Sequence, residues 1–362
     1  MKNSLQPPGR ILVFNLATDL DHPVLGFTSY WIRALAGQVG QIDVLTMQAG
    51  KIDLPKNVRV YSVGKERGFS KARRAVEFYK LLSRLLSQGP VDGCFSHMIT
   101  IFSVMAAPVL KMKGIPLVTW YAHPSLTPTL KWAHFCSDRM VTSLPRAYPY
   151  RADKLSVIGQ GIDTLAFAPD PAVVPEDNVV LCVGRISPVK DHLTLVRALT
   201  LIPGNVQLRI LGATTSREDE TYRGEILRQA QQLGVSDRVI LGQPVPPDEL
   251  PRHFQRCAVH VNLTPAGFGD KVAWEAMACG RPCLVANTDF EETLGRYSRE
   301  LLFKVQDPVD LAAKLRALLE MSSGERACIG EYLRGRVQEL HSLPRLASRV
   351  IDELRTVAAA RR

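Results

Sequence analysis

Short apolar runs recur along this chain, separated by polar turns and by segments of helical period. Residues 11–16, 42–47, 58–63, 93–96, 116–120, 140–143 and 156–158 read as strands. Between them, 29–36 and the apolar run 101–110 read as helices. A Pro-rich stretch, F-A-P-D-P-A-V-V-P-E-D from Phe167 to Asp177, interrupts the rhythm and is the best linker candidate. The alternation restarts at Val179, with strands expected near 208–211, 239–241, 259–262 and 283–286, and a strongly amphipathic helix closes the chain over 346–359. Strands alternating with helices imply an α/β protein with parallel, doubly wound sheets. At 362 residues the chain is long for one core and suits two domains.

Charge adds one feature to this pattern. The net charge is +10, and residues 1–172 hold 20 Lys and Arg against 11 Asp and Glu, so nearly all of the excess lies in the first half. Part of it sits on a helix over residues 73–86. There Ala75, Phe78, Tyr79, Leu82, Leu85 and Leu86 form an apolar stripe, with Arg73, Lys80 and Arg84 roughly opposite. The bland reading is a solvated face. The functional one is attraction to lipid headgroups or to a phosphate-bearing acceptor, with Arg73, Arg74 and Lys80 as the contacts. Nucleic acid is not expected, because no helix-turn-helix, zinc or RNA-binding signature accompanies the charge.

The remaining composition narrows the class. A hydrophobic content of 46% is ordinary, and no apolar run is long enough to span a membrane. The N-terminus lacks an apolar signal region, so a cytoplasmic protein is expected, with peripheral contact on the inner membrane face as an option. The seven cysteines are scattered, without a C-x-x-C pair, and read as free thiols.

Two segments carry candidate chemistry. From Thr264 to Pro282 the chain reads T-P-A-G-F-G-D-K-V-A-W-E-A-M-A-C-G-R-P. Gly267, Phe268 and Gly269 form a turn that opens a helix. The free N–H groups and dipole of a helix start favour an anion, and glycines let a ligand approach the backbone. Glu275, in an apolar helix, needs a hydrogen-bonding partner, which a sugar hydroxyl would provide. From Val180 to Leu199 the chain reads V-L-C-V-G-R-I-S-P-V-K-D-H-L-T-L-V-R-A-L. Here Gly184, Arg185 and Lys190 occupy a turn between strand and helix, suited to a diphosphate.

Together these segments resemble the donor site of retaining glycosyltransferases of family 4, whose pattern is E-G-F-G-x-x-x-x-E-A-M-A-x-G-x-P-V. Glu275 matches the second Glu, while Gly267 stands at the first. G-F-G-D-K-V-A-W-E looks instead like a variant, G-S-F-D-K-x-x-x-E, found in some bacterial members. The resemblance implies the GT-B fold, two Rossmann-like domains facing across a cleft. It gives an acceptor-binding domain over 1–168, a linker over 169–177 and a nucleotide-sugar donor domain over 178–345. The last helix, 346–362, crosses back onto the first domain, and Gly159–Asp163 leads into the hinge.

The resemblance also implies retention, no metal and no cofactor beyond the nucleotide-sugar substrate. Arg185 and Lys190 hold the donor diphosphate. Asp270 stands in for the missing Glu, and Lys271 adds a charge. Gly26, after the first strand, brings backbone N–H groups towards the sugar or phosphate. His123 contacts the transferred sugar, with His97 as its competitor. Acceptors compatible with this are a glycan, a glycolipid or a small molecule. Asp19-Leu20-Asp21 has the form of a metal-binding D-x-D but lacks the usual context. The second functional reading is a catalytically degenerate, nucleotide-sugar-binding scaffold protein.

Overall fold

A computed structural model describes residues 9–22 and 25–361. The chain divides into two compact units, 1–161 with 343–362, and 162–342. The division falls at Gly161/Ile162, ahead of the Pro-rich stretch, whose residues belong to the second unit.

The first unit contains strands β1 (Arg10–Thr18), β2 (Gln41–Ala49), β3 (Val58–Ser62), β4 (Gly93–His97), β5 (Leu117–Trp120), β6 (Arg139–Thr142) and β7 (Leu155–Val157). They form one parallel sheet in the order β3-β2-β1-β4-β5-β6-β7. Its helices include α1 (Phe27–Ala36), α2 (Lys71–Ser87), α3 (Thr100–Met112) and α4 (Pro128–Cys136). In the second unit, β8 (Glu176–Val183), β9 (Gln207–Leu211), β10 (Val239–Gly242), β11 (Cys257–Asn262) and β12 (Cys283–Val285) form a parallel sheet in the order β10-β9-β8-β11-β12. Its helices are α5 (His192–Leu199), α6 (Arg217–Gln232), α7 (Leu250–Arg256), α8 (Lys271–Ala278), the short α9 (Glu291–Leu294) and α10 (Ser298–Leu301), α11 (Pro308–Glu320) and α12 (Ser323–His341). The last helix, α13 (Leu343–Ala360), belongs to the first unit.

Each sheet is buried on both faces, which is why its strands read as continuous apolar runs. In the first unit, α1 and α13 cover one face through Trp31, Ile32, Leu35, Leu346, Val350 and Leu354. Helices α2 and α3 cover the other, with Phe14, Phe78 and Phe102 packed edge to face or tilted at 4.5–5.9 Å. The buried stripe of α2 is Phe78, Leu81, Leu82 and Leu85. This corrects the expected stripe. Tyr79 is 47% exposed, and its hydroxyl donates to the Met105 carbonyl at 3.2 Å. A 3.6-residue period allows a neighbouring row to be chosen, and the packing partner on α3 selects it.

Helix α8 is pinned from behind. Trp274 is fully buried, stacks on Phe290 at 4.3 Å and lies 4.6 Å from the His341 ring. Its Nε1 donates to Thr293 Oγ1 at 3.2 Å. The direction in which the N-terminus of α8 points is therefore fixed by the core.

Candidate functional site

Strand order reverses between β8 and β11 in the second unit. The loops leaving the carboxyl ends of two such strands diverge, and ligands of open α/β sheets bind in the crevice they leave. Both candidate segments start there. The β8 loop carries Gly184, Arg185 and Lys190, and the β11 loop carries Thr264, Gly267, Phe268, Gly269 and Asp270.

The two loops are tied together by one charged knot. Lys190 Nζ donates to Asp270 Oδ2 and, at 3.1 Å, to Thr264 Oγ1. Asp270 Oδ2 also accepts from Asn262 Nδ2 and Thr264 Oγ1, each at 2.7 Å. The Lys190 and Asp270 side chains are only 17% and 13% exposed. Burial by itself would raise the Asp270 pKa; the Lys190 charge and these hydrogen bonds outweigh it and hold the carboxyl below its usual range. An ammonium has three donors, so two bonds leave one for a ligand. Sequence reasoning missed Asn262 and Thr264. Their signal is positional: polar residues at and just after the carboxyl end of an otherwise apolar strand.

The glycine loop has its own supports. Gly267 has φ +90°, a left-handed conformation that favours glycine. Its N–H donates to Asp289 Oδ2 at 2.8 Å. Asn287 Nδ2 donates to the Phe268 carbonyl at 3.0 Å. The loop is thus held from β12, by two residues absent from the expected set. Glu275 lies inside α8, 8% exposed, and pairs with Lys271 Nζ at 3.2 Å, one turn away. Lys271 gives this acid a partner within the protein, beside the sugar hydroxyl expected of it.

Arg185 is exposed, and its Nη1 reaches Thr215 Oγ1 at 3.5 Å. Thr215 in turn gives both its hydroxyl, at 2.8 Å, and its backbone N–H, at 2.9 Å, to the buried Asp219 Oδ2. The backbones of the β8 and β9 loops nearly touch: a Cβ on Gly212 would stand 1.8 Å from the Gly184 carbonyl oxygen. Gly242, Gln243 and Pro244 complete, with Gly212, Ala213, Thr214, Glu220 and Arg223, an open pocket of about 360 Å³ at the carboxyl ends of β9 and β10.

The other candidates belong to the first unit. His123 is exposed in the loop after β5, and its Nδ1 accepts the Ser125 N–H at 3.1 Å. That bond requires an unprotonated Nδ1, so a neutral ring carries its proton on Nε2. Its competitor His97 is buried among Trp31, Trp120 and Phe27, with ring centroids 4.6–6.3 Å away. Burial pushes its pKa down to about 3, as for a core residue. Gly26 starts α1, and its N–H is used internally, donating to the His22 carbonyl at 3.0 Å. Arg73 stacks on Phe69 at 3.5 Å, with Arg67 at 4.5 Å from the same ring. Arg74 and Lys80 lie further along α2.

Among the described residues, no group of three or more His, Cys, Asp or Glu side chains is placed to hold a metal ion. The D-x-D carboxylates are engaged locally. Asp19 Oδ1 accepts the N–H groups of Asp21 and Lys51, and Asp21 pairs with Lys51 at 3.3 Å. No helix among the described residues is long and apolar enough to cross a membrane.

Two doubly wound parallel sheets with these loops define the GT-B class of fold. HepE of Anabaena, solved with UDP and glucose, shares it at a TM-score of 0.70 and 18% identity, covering 95% of this chain and 99% of that one. Sucrose-phosphate synthase of Thermosynechococcus elongatus shares it at 0.75 and 20%, covering 97% and 100%.

Residues 166–336 match the family described as Glycosyl transferases group 1. This corrects the expectation of family 4. That expectation rested on two segments, in one of which Gly267 stands where the family 4 pattern has its first Glu; the matching family is group 1. The D-inositol 3-phosphate glycosyltransferase of Acidothermus cellulolyticus is 32% identical over 225 residues, 56% of this chain and 49% of that protein. The enzyme of the same name from Xylanimonas cellulosilytica is 31% identical over 216 residues, 53% and 50%. The chain therefore spans about half the length of these curated relatives.

Proposed function

We propose that this protein is a retaining, metal-independent glycosyltransferase that moves a sugar from a nucleotide-sugar donor to a glycan, glycolipid or small-molecule acceptor. The observation that carries the reading is the knot of Lys190 with Asp270, Thr264 and Asn262 at the switch point of the second sheet. It holds an ammonium in place at the start of α8, on the loop that also carries the exposed Arg185. As the bond from sugar to diphosphate breaks, negative charge grows on the leaving oxygens. Fixed donors aimed there stabilise the transition state more than the ground state. Lys190, Arg185 and the N–H groups opening α8 are those donors.

Glu275 binds the donor through the carboxylate that Lys271 orients. Asp270 has two tasks: Oδ2 fixes Lys190, and Oδ1, which takes none of those bonds, meets the sugar. His123 offers Nε2–H to the transferred sugar. The acceptor binds the first unit, where the basic face of α2 with Arg73, Arg74 and Lys80 attracts a phosphate-bearing or membrane-borne molecule. The local bonds of Asp19 and Asp21 support the metal-free reading, since both carboxylates already have partners. A cytoplasmic site of action follows from a nucleotide-sugar substrate.

One observation favours a second reading, a degenerate binding protein. The first Glu of the donor pattern is Gly267, and its place in the loop is filled by a backbone bond to Asp289. Thermal unfolding against UDP-, GDP-, ADP- and dTDP-sugars, with Glu275→Ala alongside, tests donor binding. UDP-glucose is the first choice, by analogy with HepE. A donor at about 100 times its dissociation constant adds roughly 2.7 kcal/mol to the folded state. Selective stabilisation by one nucleotide, lost in the variant, supports the donor site, and release of free nucleotide on adding acceptor separates an enzyme from a scaffold. No shift across the panel would refute the proposal.

A further inference from the structure

Arg185 is held at both ends. Its backbone lies where the pairing of β8 with β9 runs on past the strands. The Gly184 N–H donates to the Leu211 carbonyl at 3.0 Å and the Ile186 N–H to the Ala213 carbonyl at 2.9 Å, one bond on each side of it. Its guanidinium reaches Thr215 Oγ1. The direction of that contact is fixed by chemistry. Arginine only donates and an ionised carboxylate only accepts, whereas a hydroxyl does both. The Thr215 proton goes to Asp219 Oδ2 at 2.8 Å, so its oxygen meets Arg185 as an acceptor.

Asp219 does more than cap α6. It is 4% exposed and third in the helix, where its N–H donates to Ser216 Oγ at 3.1 Å. An acid at that position commonly reaches back to the N-cap N–H, as Glu325 does to Ser322 at 2.8 Å in α12. Asp219 is one methylene shorter, and its Oδ2 takes the N–H of Thr215, one residue further back, at 2.9 Å. One buried oxygen therefore fixes both the backbone and the side chain of Thr215. Burial by itself would raise the Asp219 pKa; the bonds from Thr215 and the Arg185 charge outweigh it and hold the carboxyl below its usual range.

We propose that Asp219 and Thr215 are positioning residues: the buried carboxylate sets the Thr215 hydroxyl, and the hydroxyl sets the guanidinium of Arg185 for the donor diphosphate. An exposed arginine gives up much of its rotamer freedom when it grips an anion. One that is already held gives up less, and binds more tightly through the same contacts. A carboxylate in direct contact would neutralise the guanidinium. A hydroxyl set between them orients it and leaves its charge for the ligand. The inference rests on the reading of Arg185 as a ligand of the diphosphate.

The test is titration calorimetry of UDP, GDP, ADP and dTDP on the full chain. For the nucleotide that binds, Thr215→Val keeps the side-chain shape, removes the hydroxyl and should weaken binding by about fivefold, the worth of one hydrogen bond. Asp219→Ala should weaken it by about as much; if that variant does not fold, Thr215→Val carries the test. Thr215→Ser and Asp219→Asn retain the hydroxyl and the acceptor, and should bind within about twofold of wild type. In the Arg185→Ala background Thr215→Val should change nothing further, because it acts only through that guanidinium. A purely structural role in α6 would lower the melting temperature and weaken binding equally with or without Arg185. Equal affinity of wild type and Thr215→Val, or the same loss in both backgrounds, would overturn the proposal while leaving the donor site in place. A wild-type protein that binds none of the four nucleotides would overturn the donor reading, and this proposal with it.

Discussion

Replacing Asp270 by Ala should cost the second unit about 3 kcal/mol. The side chain takes three hydrogen bonds on one oxygen and pairs with an ammonium that is itself only 17% exposed. Removing one member of a buried pair costs about 3–5 kcal/mol, because the other is left without its partner. The small solvent access at both groups places this site at the lower end. For a unit of this size, at about 2–4 °C per kcal/mol, the melting temperature should fall by roughly 10 °C. The pH dependence gives a second readout. A carboxyl whose pKa is depressed in the folded state contributes stability above the unfolded value, near 3.9, and loses it as pH falls through the folded value. Asp270→Ala should therefore flatten the acid limb of stability below about pH 4. In the double variant Lys190→Met with Asp270→Ala the loss should be less than the sum of the single changes, since no uncompensated charge remains. The assay is calorimetry across pH on the three variants. A melting temperature within about 2 °C of wild type, with the acid limb intact, would refute the claim that this pair ties the two loops.

Other consequences can be measured alongside. Lys190→Ala and Arg185→Ala should each weaken binding of the nucleoside diphosphate by about 10–100-fold in titration calorimetry, the worth of a charge-assisted hydrogen bond; equal affinity would remove the residue from the site. Gly212→Ala forces a Cβ into the Gly184 carbonyl and should cost about 3 kcal/mol or abolish folding, whereas Gly204→Ala, with open space around it, should be nearly neutral. Burial pushes His97, His192 and His260 down to about 3, so each costs stability as pH falls from about 6.5 towards 3, by about 1.4 kcal/mol per pH unit. Neither ring nitrogen of His192 has a hydrogen-bond partner, so His192→Leu should remove one such slope without loss at neutral pH; an unchanged acid slope in denaturant titrations would count against this.

The sequence by itself determined the doubly wound class and most strand positions. Strands buried on both faces must be short apolar runs, and such runs are visible one residue at a time. It also located the two loops of the candidate site, because glycines and cations next to strand ends leave local signals. Helices α4 and α6 were less visible. The outward Trp132 and Phe135 blur the apolar period of α4, and α6 (R-E-D-E-T-Y-R-G-E-I-L-R-Q-A-Q-Q) buries only Asp219, Tyr222, Ile226 and Ala230.

Tertiary structure alone decided which polar residues meet. Lys190 and Asp270 are eighty positions apart, and their pairing depends on β8 and β11 being neighbours, an order that no local pattern encodes. The same holds for Asn287 and Asp289, which support a glycine loop about twenty residues earlier because β12 lies beside β11. Periodicity fixes which face of an element is buried. Which partner it finds there is set by strand order and packing, and the site is built from those partners.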